Sequence, residues 1–575
     1  MCGIIGVINT KRAKTDIRNI IENKLDAIKH RGPDAQGIFI QNQYGIGHCR
    51  LSINDPTPAG DQPFIFQNIV LVCNGEIYNH EDLKSDCADY NFKSNSDNEV
   101  IIPLYLKYGE RLLDMLDGEF AFLLIDLGKN KIIAARDPMG VKQLYQCKTD
   151  DGEIWFSSED HILEDLSNDI RPISPGCYWT VTNPESRYYV RKWWDFSGPT
   201  SHGNNKVDYK ELRELIIRSV RKRLMSDKPI GCMLSGGLDS SIITAIAAKY
   251  HSEKIRTYSV GLSDSIDLPY ARQVADYLGT SHHEIIITEN DVMSGFKELF
   301  RLGLRGGVLY GASPLYILYK YASQFNPVLL VGEGSDEIFN GYALPSENIF
   351  SDEFIHDTNC YQISILSTGL LRRADIASMA NGVEIRVPFL DKEVVDYVMQ
   401  LDPKLKAVSK CKIEKYILRK SFNGFLPNEI LWRKKLATAK GYSGDFLKKF
   451  RAATSRYKHA YDKNDDAPPI HNYYNIRSDS ILIPKLFFGC ELYEKYRSAG
   501  AKEILLDTDN ETKKNISHIL ESYIYDKNNI KLDLISGILD HIGVKVPCDM
   551  RGAKISFSEI VNNSKLISLS LRYEM

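Results

Sequence analysis

No stretch of this 575-residue chain approaches the length of a membrane-spanning helix, and its formal net charge of -3 is nearly balanced. The first absence excludes a helical transmembrane segment. The second removes any general electrostatic case for nucleic acid, a membrane surface or a polyanion as partner, so partners have to be argued from sites. The eleven cysteines are odd in number and scattered, without the close paired spacing of a zinc site or a disulfide framework. That pattern fits a reducing compartment, with most cysteines acting as buried small apolar residues. No internal repeat is visible. The apolar run from Ile4 to Ile8 is too short for a secretory signal and is followed by Lys11-Arg12-Ala13-Lys14, so the expected location is the cytoplasm. Against these absences, 43% hydrophobic and 26% charged residues describe an ordinary globular chain with large cores. Its length predicts about two to four domains.

What is present begins at the first residues, Met1-Cys2-Gly3-Ile4-Ile5-Gly6. Removal of Met1 before a small residue makes Cys2 the amino terminus, and one residue then carries both a nucleophile and a base. A free α-amine has a pKa of about 8, so much of it is neutral at cellular pH and can take the thiol proton as the thiol attacks a carbonyl. The alternative is that Gly3-Ile4-Ile5-Gly6 simply starts a buried strand.

The pattern changes near residue 200. Up to about Phe196, short β-rich runs alternate with turns: Ile69–Cys73, Phe120–Ile125, Lys131–Ala135 and Ile154–Phe156. This predicts a layered α+β domain over residues 1–196. The polar stretch from Ser197 to Asn205 reads as a linker. Beyond it strands and helices alternate as in a parallel sheet, which predicts an α/β domain over 206–575. A strand ends at Met233-Leu234, and Ser240–Tyr250 is expected to be a helix. Thr257–Gly261 is a further strand, Tyr270–Leu278 a helix and Val328–Val331 a buried strand. From Asp352 the pattern turns mostly helical. The segment from Tyr461 to Pro469 reads as a surface loop, and the extension from about residue 500 carries no motif.

Between the strand ending at Leu234 and its following helix lies Ser235-Gly236-Gly237-Leu238-Asp239-Ser240-Ser241. Glycines there let backbone approach an anion, and the helix N-terminus points N–H groups at it. A Walker loop needs a lysine after the second glycine and is excluded; the pattern resembles the loop of ATP pyrophosphatases, which release AMP and pyrophosphate. A second cluster, Gly332-Glu333-Gly334-Ser335-Asp336-Glu337, follows the strand Val328–Val331 and lies at the same sheet edge, where open α/β sheets hold ligands. Asp239 and Asp336 together could hold Mg2+ against a departing pyrophosphate, since a hard cation with oxygen ligands screens that charge. The alternative for this second cluster is a helix N-terminus decorated with acids.

The motifs of the two halves can be put together. Cys2-Gly3-Ile4, His30-Arg31-Gly32-Pro33-Asp34, Arg50-Leu51-Ser52-Ile53, Asn74-Gly75-Glu76-Ile77-Tyr78-Asn79, Ser96-Asp97 and Arg136-Asp137 resemble, in order and spacing, a class II glutamine amidotransferase domain. Joined to the loops at 235–241 and 332–337 and to Glu384-Ile385-Arg386-Val387-Pro388-Phe389-Leu390-Asp391, the chain resembles the glutamine-hydrolysing asparagine synthetases of the bacterial B type over residues 1 to about 445. The resemblance implies an N-terminal-nucleophile glutaminase followed by an ATP pyrophosphatase-type synthetase. It implies that Cys2 attacks the glutamine side-chain amide, with Asn74 and Gly75 as oxyanion donors. Arg50 would pair with the glutamine carboxylate, and Glu76 and Asp97, with Asn74 close by, would hold the rest of the amino acid through its ammonium. In the second domain ATP would adenylate an acceptor carboxylate, aspartate being the family's, and ammonia from an internal tunnel would displace AMP. The implied ATP positions are Ser235, Gly236, Gly237, Leu238, Asp239, Ser240, Val260 and Gly332, with Lys435 near the phosphates. Glu333 would take a proton from the attacking ammonia, and Asp267 matches a further functional carboxylate. Dimers are common in that family.

Three departures fall on the synthetase side. An expected arginine is Tyr310, in Leu309-Tyr310-Gly311-Ala312-Ser313; the run after Lys435 is Leu436-Ala437-Thr438-Ala439-Lys440-Gly441-Tyr442-Ser443; and Val331 stands for the usual serine. Arg305 and Lys440 are the basic residues nearest in sequence that could replace the lost cation. The departures leave room for another acceptor, such as a sugar acid, a peptide or a natural-product intermediate. A β-lactam-forming synthetase would lack the N-terminal cysteine. Partner domains of the phosphoribosyltransferase or sugar-isomerase kind are excluded by the 235–241 loop, and a non-catalytic sensor would have lost a reactive group.

Overall fold

Burial on both faces of the amino-terminal strands dictates their layering. The computed structural model describes residues 2–182, 189–196, 204–303, 309–342, 352–406 and 413–434. In the strand Gly3–Ile8, Ile4 and Ile8 enter one core while Ile5 and Val7 enter another. The strand Ile69–Ile77 divides the same way, Val70 and Val72 against Ile69, Leu71 and Cys73, and so does Gly118–Asp126, with Leu123 and Ile125 against Phe120, Phe122 and Leu124. Side chains alternate along a strand, so each sheet with two apolar faces needs a layer on either side.

The layers are two antiparallel sheets stacked between helices. One runs in the order Ile170–Pro172, Tyr145–Lys148, Ile154–Ser157, Gly3–Ile8, Tyr44–Arg50, Ala35–Gln41; the other runs Tyr189–Lys192, Cys177–Thr182, Lys131–Arg136, Gly118–Asp126, Ile69–Ile77, Phe64–Phe66. Helix Lys14–Ala27 closes the first through Ile17, Ile21 and Leu25, and helix Ile101–Tyr108 closes the second through Ile101, Ile102 and Leu104. Gly6 marks a close approach of the sheets: a Cβ there would lie 2.6 Å from Leu123 Cδ1. The expected α+β character and the four expected strands are present, each within a residue or two except Ile69–Ile77, which continues four residues further.

The second half is built on one parallel sheet in the order Ser281–Ile286, Arg256–Gly261, Ile230–Met233, Val328–Leu330, Glu384–Arg386. The expected helices are Leu238–Tyr250 and Asp267–Leu278, slightly longer than the periodicity indicates. From Asp352 the described residues are mostly helical, as expected, but Glu384–Arg386 forms a fifth strand. Three residues with a buried Glu384 and a buried Arg386, paired to each other at 2.6 Å, carry no apolar alternation to announce a strand. The parallel topology decides the site. Ile230–Met233 and Val328–Leu330 are neighbours with Cys232 opposite Leu330, so the loops after them leave the same sheet edge side by side.

Cys2, Cys49, Cys73, Cys87, Cys147, Cys177 and Cys232 are buried and form no disulfide, and Cys360 is partly exposed. Among the described residues no helix is long and apolar enough to cross a membrane. Most of the expected linker, Lys435 and the run after it, Arg305, Lys440, the 461–469 loop and the extension from about 500 lie outside the described residues.

Candidate active sites

The first site forms where Gly3–Ile8 meets the end of Ile69–Ile77. The main-chain nitrogen of Cys2 donates to Asn74 Oδ1 at 2.7 Å, and the Cys2 sulfur lies 4.0 Å from the Leu51 carbonyl. Asn74 is fully buried, and its Nδ2 has no hydrogen-bond partner. A buried amide donor left unmet costs about 1–3 kcal/mol, so an atom of this kind in a native site has to be explained. Gly75 beside it has φ +139°, and a Cβ there would fall 2.0 Å from the Glu119 carbonyl oxygen, so only glycine fits. Asn98 Nδ2 donates to the Gly75 carbonyl at 3.0 Å and fixes that peptide. Burial pushes the Cys2 thiol up from its ordinary value. A thiol held neutral in this way needs a base to attack a carbonyl, and a free α-amine on the same residue is chemically able to be one.

Arg50 ends Tyr44–Arg50 with its guanidinium turned into the loop that follows. It donates to the carbonyls of Thr57 (2.8 Å), Asn54 (3.1 Å) and Asp55, and to Asp61 at 2.7 Å. Asp61 is 42% exposed, so this carboxylate sits at the mouth of the site. Glu76 and Asp97 converge on the Asn54 side-chain amide, which donates to both, and Asp97 also accepts from the Ile77 nitrogen at 2.7 Å. Burial comes first in raising the Glu76 carboxyl well above its ordinary value, followed by the neighbouring Asp97; burial likewise raises Asp97. Two desolvated carboxylates around one donor form a cation-accepting pair.

The second site lies at the parallel sheet edge. Gly236 has φ +73°, and a Cβ on it would lie 2.5 Å from the Ala271 nitrogen. Ser240 Oγ accepts from the Ser235 nitrogen at 3.1 Å and meets Ser235 Oγ at 3.0 Å, which folds the loop over the start of helix Leu238–Tyr250. Gly332 approaches that helix closely, its would-be Cβ 3.0 Å from Asp239 Cβ. Val260 is on the adjacent strand Arg256–Gly261. Asp239 and Asp336 are brought together: Lys415 Nζ sits 2.6 Å from an oxygen of each, and Ser335 Oγ donates to Asp239 at 2.8 Å. Burial works against the charge on Lys415, yet the two carboxylates outweigh it and raise the ammonium above its ordinary value. The pair thus already holds one cation, the chemistry that a Mg2+ ion bound to phosphate oxygens also needs. Lys435, the basic residue expected here, is outside the described residues.

Several functional candidates were invisible in sequence. Lys415 bridges the two acids from a segment without a motif. Arg433 donates to the Gly236 carbonyl at 3.1 Å and to Asp267 at 2.6 Å, which gives Asp267 a place beside the phosphate loop. Arg373 pairs with Glu333 at 2.8 Å, and a Cβ on Gly311 would lie 2.9 Å from its Nη1. This guanidinium therefore stands next to the position where an arginine becomes Tyr310. The Glu384–Asp391 motif is found at the junction of the two halves. Arg386 faces Glu76 at 3.6 Å, and Asp391 accepts from Arg223, which also donates to Glu119 at 2.7 Å. No spacing rule links partners this far apart in sequence, and only their pairing in the fold brings them out.

With this geometry in hand, comparison with known proteins is informative. A family model described as a glutamine amidotransferase domain matches residues 1–186, and one described as asparagine synthase matches 211–357 and 351–463. The asparagine synthetase [glutamine-hydrolyzing] of Zea mays is 36% identical over 477 residues, covering 79% of this chain and 80% of that protein. Asparagine synthetase B [glutamine-hydrolyzing] of Escherichia coli (strain K12) is 36% identical over 493 residues, 80% of this chain and 88% of that protein. A probable asparagine synthetase [glutamine-hydrolyzing] of Schizosaccharomyces pombe is 38% identical over 480 residues, 77% and 85% of the two chains.

Proposed function

This chain belongs to the glutamine-hydrolysing asparagine synthetase family, and from that premise we propose a two-site reaction carried by the residues just described. The chain is a glutamine-dependent amide ligase. In the proposed reading, residues 1–196 hydrolyse glutamine to glutamate and ammonia. Residues 206–575 use ATP to adenylate the side-chain carboxylate of aspartate, and ammonia completes asparagine with release of AMP and pyrophosphate. The proposed location is the cytoplasm.

In the glutaminase, Arg50 takes the α-carboxylate of glutamine in place of Asp61, and Glu76 with Asp97 takes its ammonium in place of the Asn54 amide. The substrate amide carbon then faces Cys2. The α-amine accepts the thiol proton as the sulfur attacks, and Asn74 Nδ2 with the Gly75 N–H meets the oxygen as it becomes negative. Collapse expels ammonia and leaves a thioester, which water hydrolyses. Oxyanion donors of this kind are typically worth about 3 kcal/mol of barrier.

In the synthetase, Ser235, Gly236, Gly237, Leu238, Asp239 and Ser240 cradle the phosphates, and Val260 and Gly332 border the adenine. Asp239 and Asp336 would hold Mg2+, whose role is to screen the charge of the leaving pyrophosphate. Lys415 neutralises the same acids from the protein side. Lys435 is assigned to the phosphates. Glu333 accepts the proton that ammonia loses on forming the amide, and its partner Arg373 supplies a cation for the acceptor beside Tyr310.

The observation that carries the reading is Asn74, whose oxygen is occupied by the Cys2 nitrogen and whose buried nitrogen has no partner until an oxyanion forms. Purified chain should be incubated with ATP, Mg2+, glutamine and either aspartate or a panel of other carboxylates, with pyrophosphate release as readout. Aspartate-dependent pyrophosphate and asparagine are expected. ADP and orthophosphate as primary products would refute the phosphate-loop assignment, and turnover of another acid without aspartate would replace the acceptor. Cys2→Ala should lose glutamine use and keep synthesis from ammonium salts. A form with an uncleaved N-terminal tag should behave the same way.

A further inference from the structure

A carboxylate from the second half of the chain reaches the amino-terminal site through Arg31. Arg31 is completely buried. Its Nε donates to the Cys2 carbonyl at 3.1 Å, its Nη1 to Glu159 at 2.9 Å, and its two terminal nitrogens grip Asp375 at 2.9 and 3.0 Å. The fork with Asp375 is bidentate, the geometry that fixes the plane of a guanidinium as well as its position. Cys2 has few other anchors: its nitrogen on Asn74, its sulfur 4.0 Å from the Leu51 carbonyl and the strand that starts at Gly3. Its carbonyl is attached to the same Cα that bears the nitrogen and the thiol side chain, so the contact with Arg31 restrains the backbone from which the nucleophile projects.

Asp375 comes from helix Leu370–Met379, beyond the parallel sheet's fourth strand in sequence. Residues three apart share a helix face. Arg372, one turn before Asp375, also reaches across the junction and holds Asp160 at 2.9 and 3.1 Å. Arg373 points the other way and pairs with Glu333 in the synthetase site. The helix is therefore clamped on one face to the glutaminase and on the other to the phosphate-side loop, and cannot turn without disturbing either.

We infer that Asp375 is a positioning residue for the glutaminase nucleophile, acting through Arg31 on the Cys2 carbonyl. This rests on the proposed role of Cys2. Asp375→Asn keeps the size of the side chain and removes the second charged oxygen of the fork. Misplacement of about an ångström at a reacting atom is costly, so kcat with glutamine should fall about tenfold or more. KM for glutamine should stay within about twofold, since Arg50, Glu76 and Asp97 are untouched.

The test follows inactivation of Cys2 by a diazo-ketone analogue of glutamine, 6-diazo-5-oxonorleucine, and scores the maximal rate, the half-saturating concentration and the final stoichiometry. The expected result for Asp375→Asn is a slower maximal rate with unchanged half-saturation and full labelling, while ammonium-dependent synthesis is retained. Asp375→Glu should recover part of the rate. In an Arg31→Lys background, which already lacks the fork, Asp375→Asn should slow labelling no further. A rate within twofold of the parent in Asp375→Asn overturns the inference, and so does an equal fall in ammonium-dependent synthesis, which marks a general packing defect. If the variant is partly unfolded, labelling amplitude falls while the rate on the folded fraction still decides. Failure of the underlying reading looks different: Cys2→Ala would then still use glutamine.

Discussion

Replacing Asn74 isolates a single hydrogen-bond donor. Its Oδ1 accepts from the Cys2 nitrogen at 2.7 Å while its Nδ2 is buried and unpartnered. Asn74→Asp keeps the shape and the acceptor for Cys2 but turns the donor into a second acceptor facing the developing oxyanion. Asn74→Ala removes both. Loss of one preorganised donor raises the barrier by about 2.7–4 kcal/mol, which is a fall in kcat of about 10²–10³. Because the donor has its partner only in the transition state, KM should hardly move. Asp should be at least as damaging as Ala, since a carboxylate opposes the negative charge. The assay is steady-state glutamate formation, with ammonium-dependent synthesis measured on the same preparations as the control for folding. A kcat for Asn74→Ala within about threefold of the parent, or a parallel loss of ammonium-dependent synthesis, would remove Asn74 from the oxyanion role.

Asp239→Asn should abolish pyrophosphate release yet spare basal glutamine hydrolysis, because it leaves Lys415 with Asp336 alone and touches nothing in the first site; retained synthesis would contradict the metal and phosphate assignment. Burial raises Glu76 and Asp97, with the neighbouring Asp97 adding to the rise at Glu76, and the substrate ammonium would need their ionised forms. The kcat/KM for glutamine should therefore rise with pH through their titration, and Glu76→Gln should flatten that limb while lowering its plateau; a flat parent profile speaks against the pair. Glu337 is the third case: burial, then Asp336, push its carboxyl up from 4.5 to about 7. The unfolded chain gives up this proton at the lower value, so the stability it contributes is present below about pH 4.5 and is lost as pH rises to about 7, by about 3 kcal/mol. Glu337→Gln should melt above the parent at about pH 8 and level with it at about pH 5; equal melting curves at both would exclude that burden.

Local pattern alone determined four of the strands of the first half, the parallel character of the second, and both glycine loops. Alternation and turn chemistry are properties of neighbouring residues and need no partner to be read. The candidate residues Cys2, Arg50, Asn74, Glu76, Asp97, Asp239, Glu333 and Asp336 could likewise be singled out locally, since each lies in a short motif. Tertiary structure alone decided which of them meet. Adjacency of Ile230–Met233 and Val328–Leu330 brings Asp239 to Asp336, and a lysine from a motif-free turn, Lys415, closes the pair. Arg373 comes next to Gly311 on a helix from elsewhere in the chain, so nothing in the sequence around Tyr310 announces it; Arg305 and Lys440 lie outside the described residues. The strand Glu384–Arg386 and the fork between Arg31 and Asp375, 344 positions apart, were equally hidden. Their physical content is buried charge satisfied across a junction, and a desolvated ion pair leaves no periodicity in the sequence on either side.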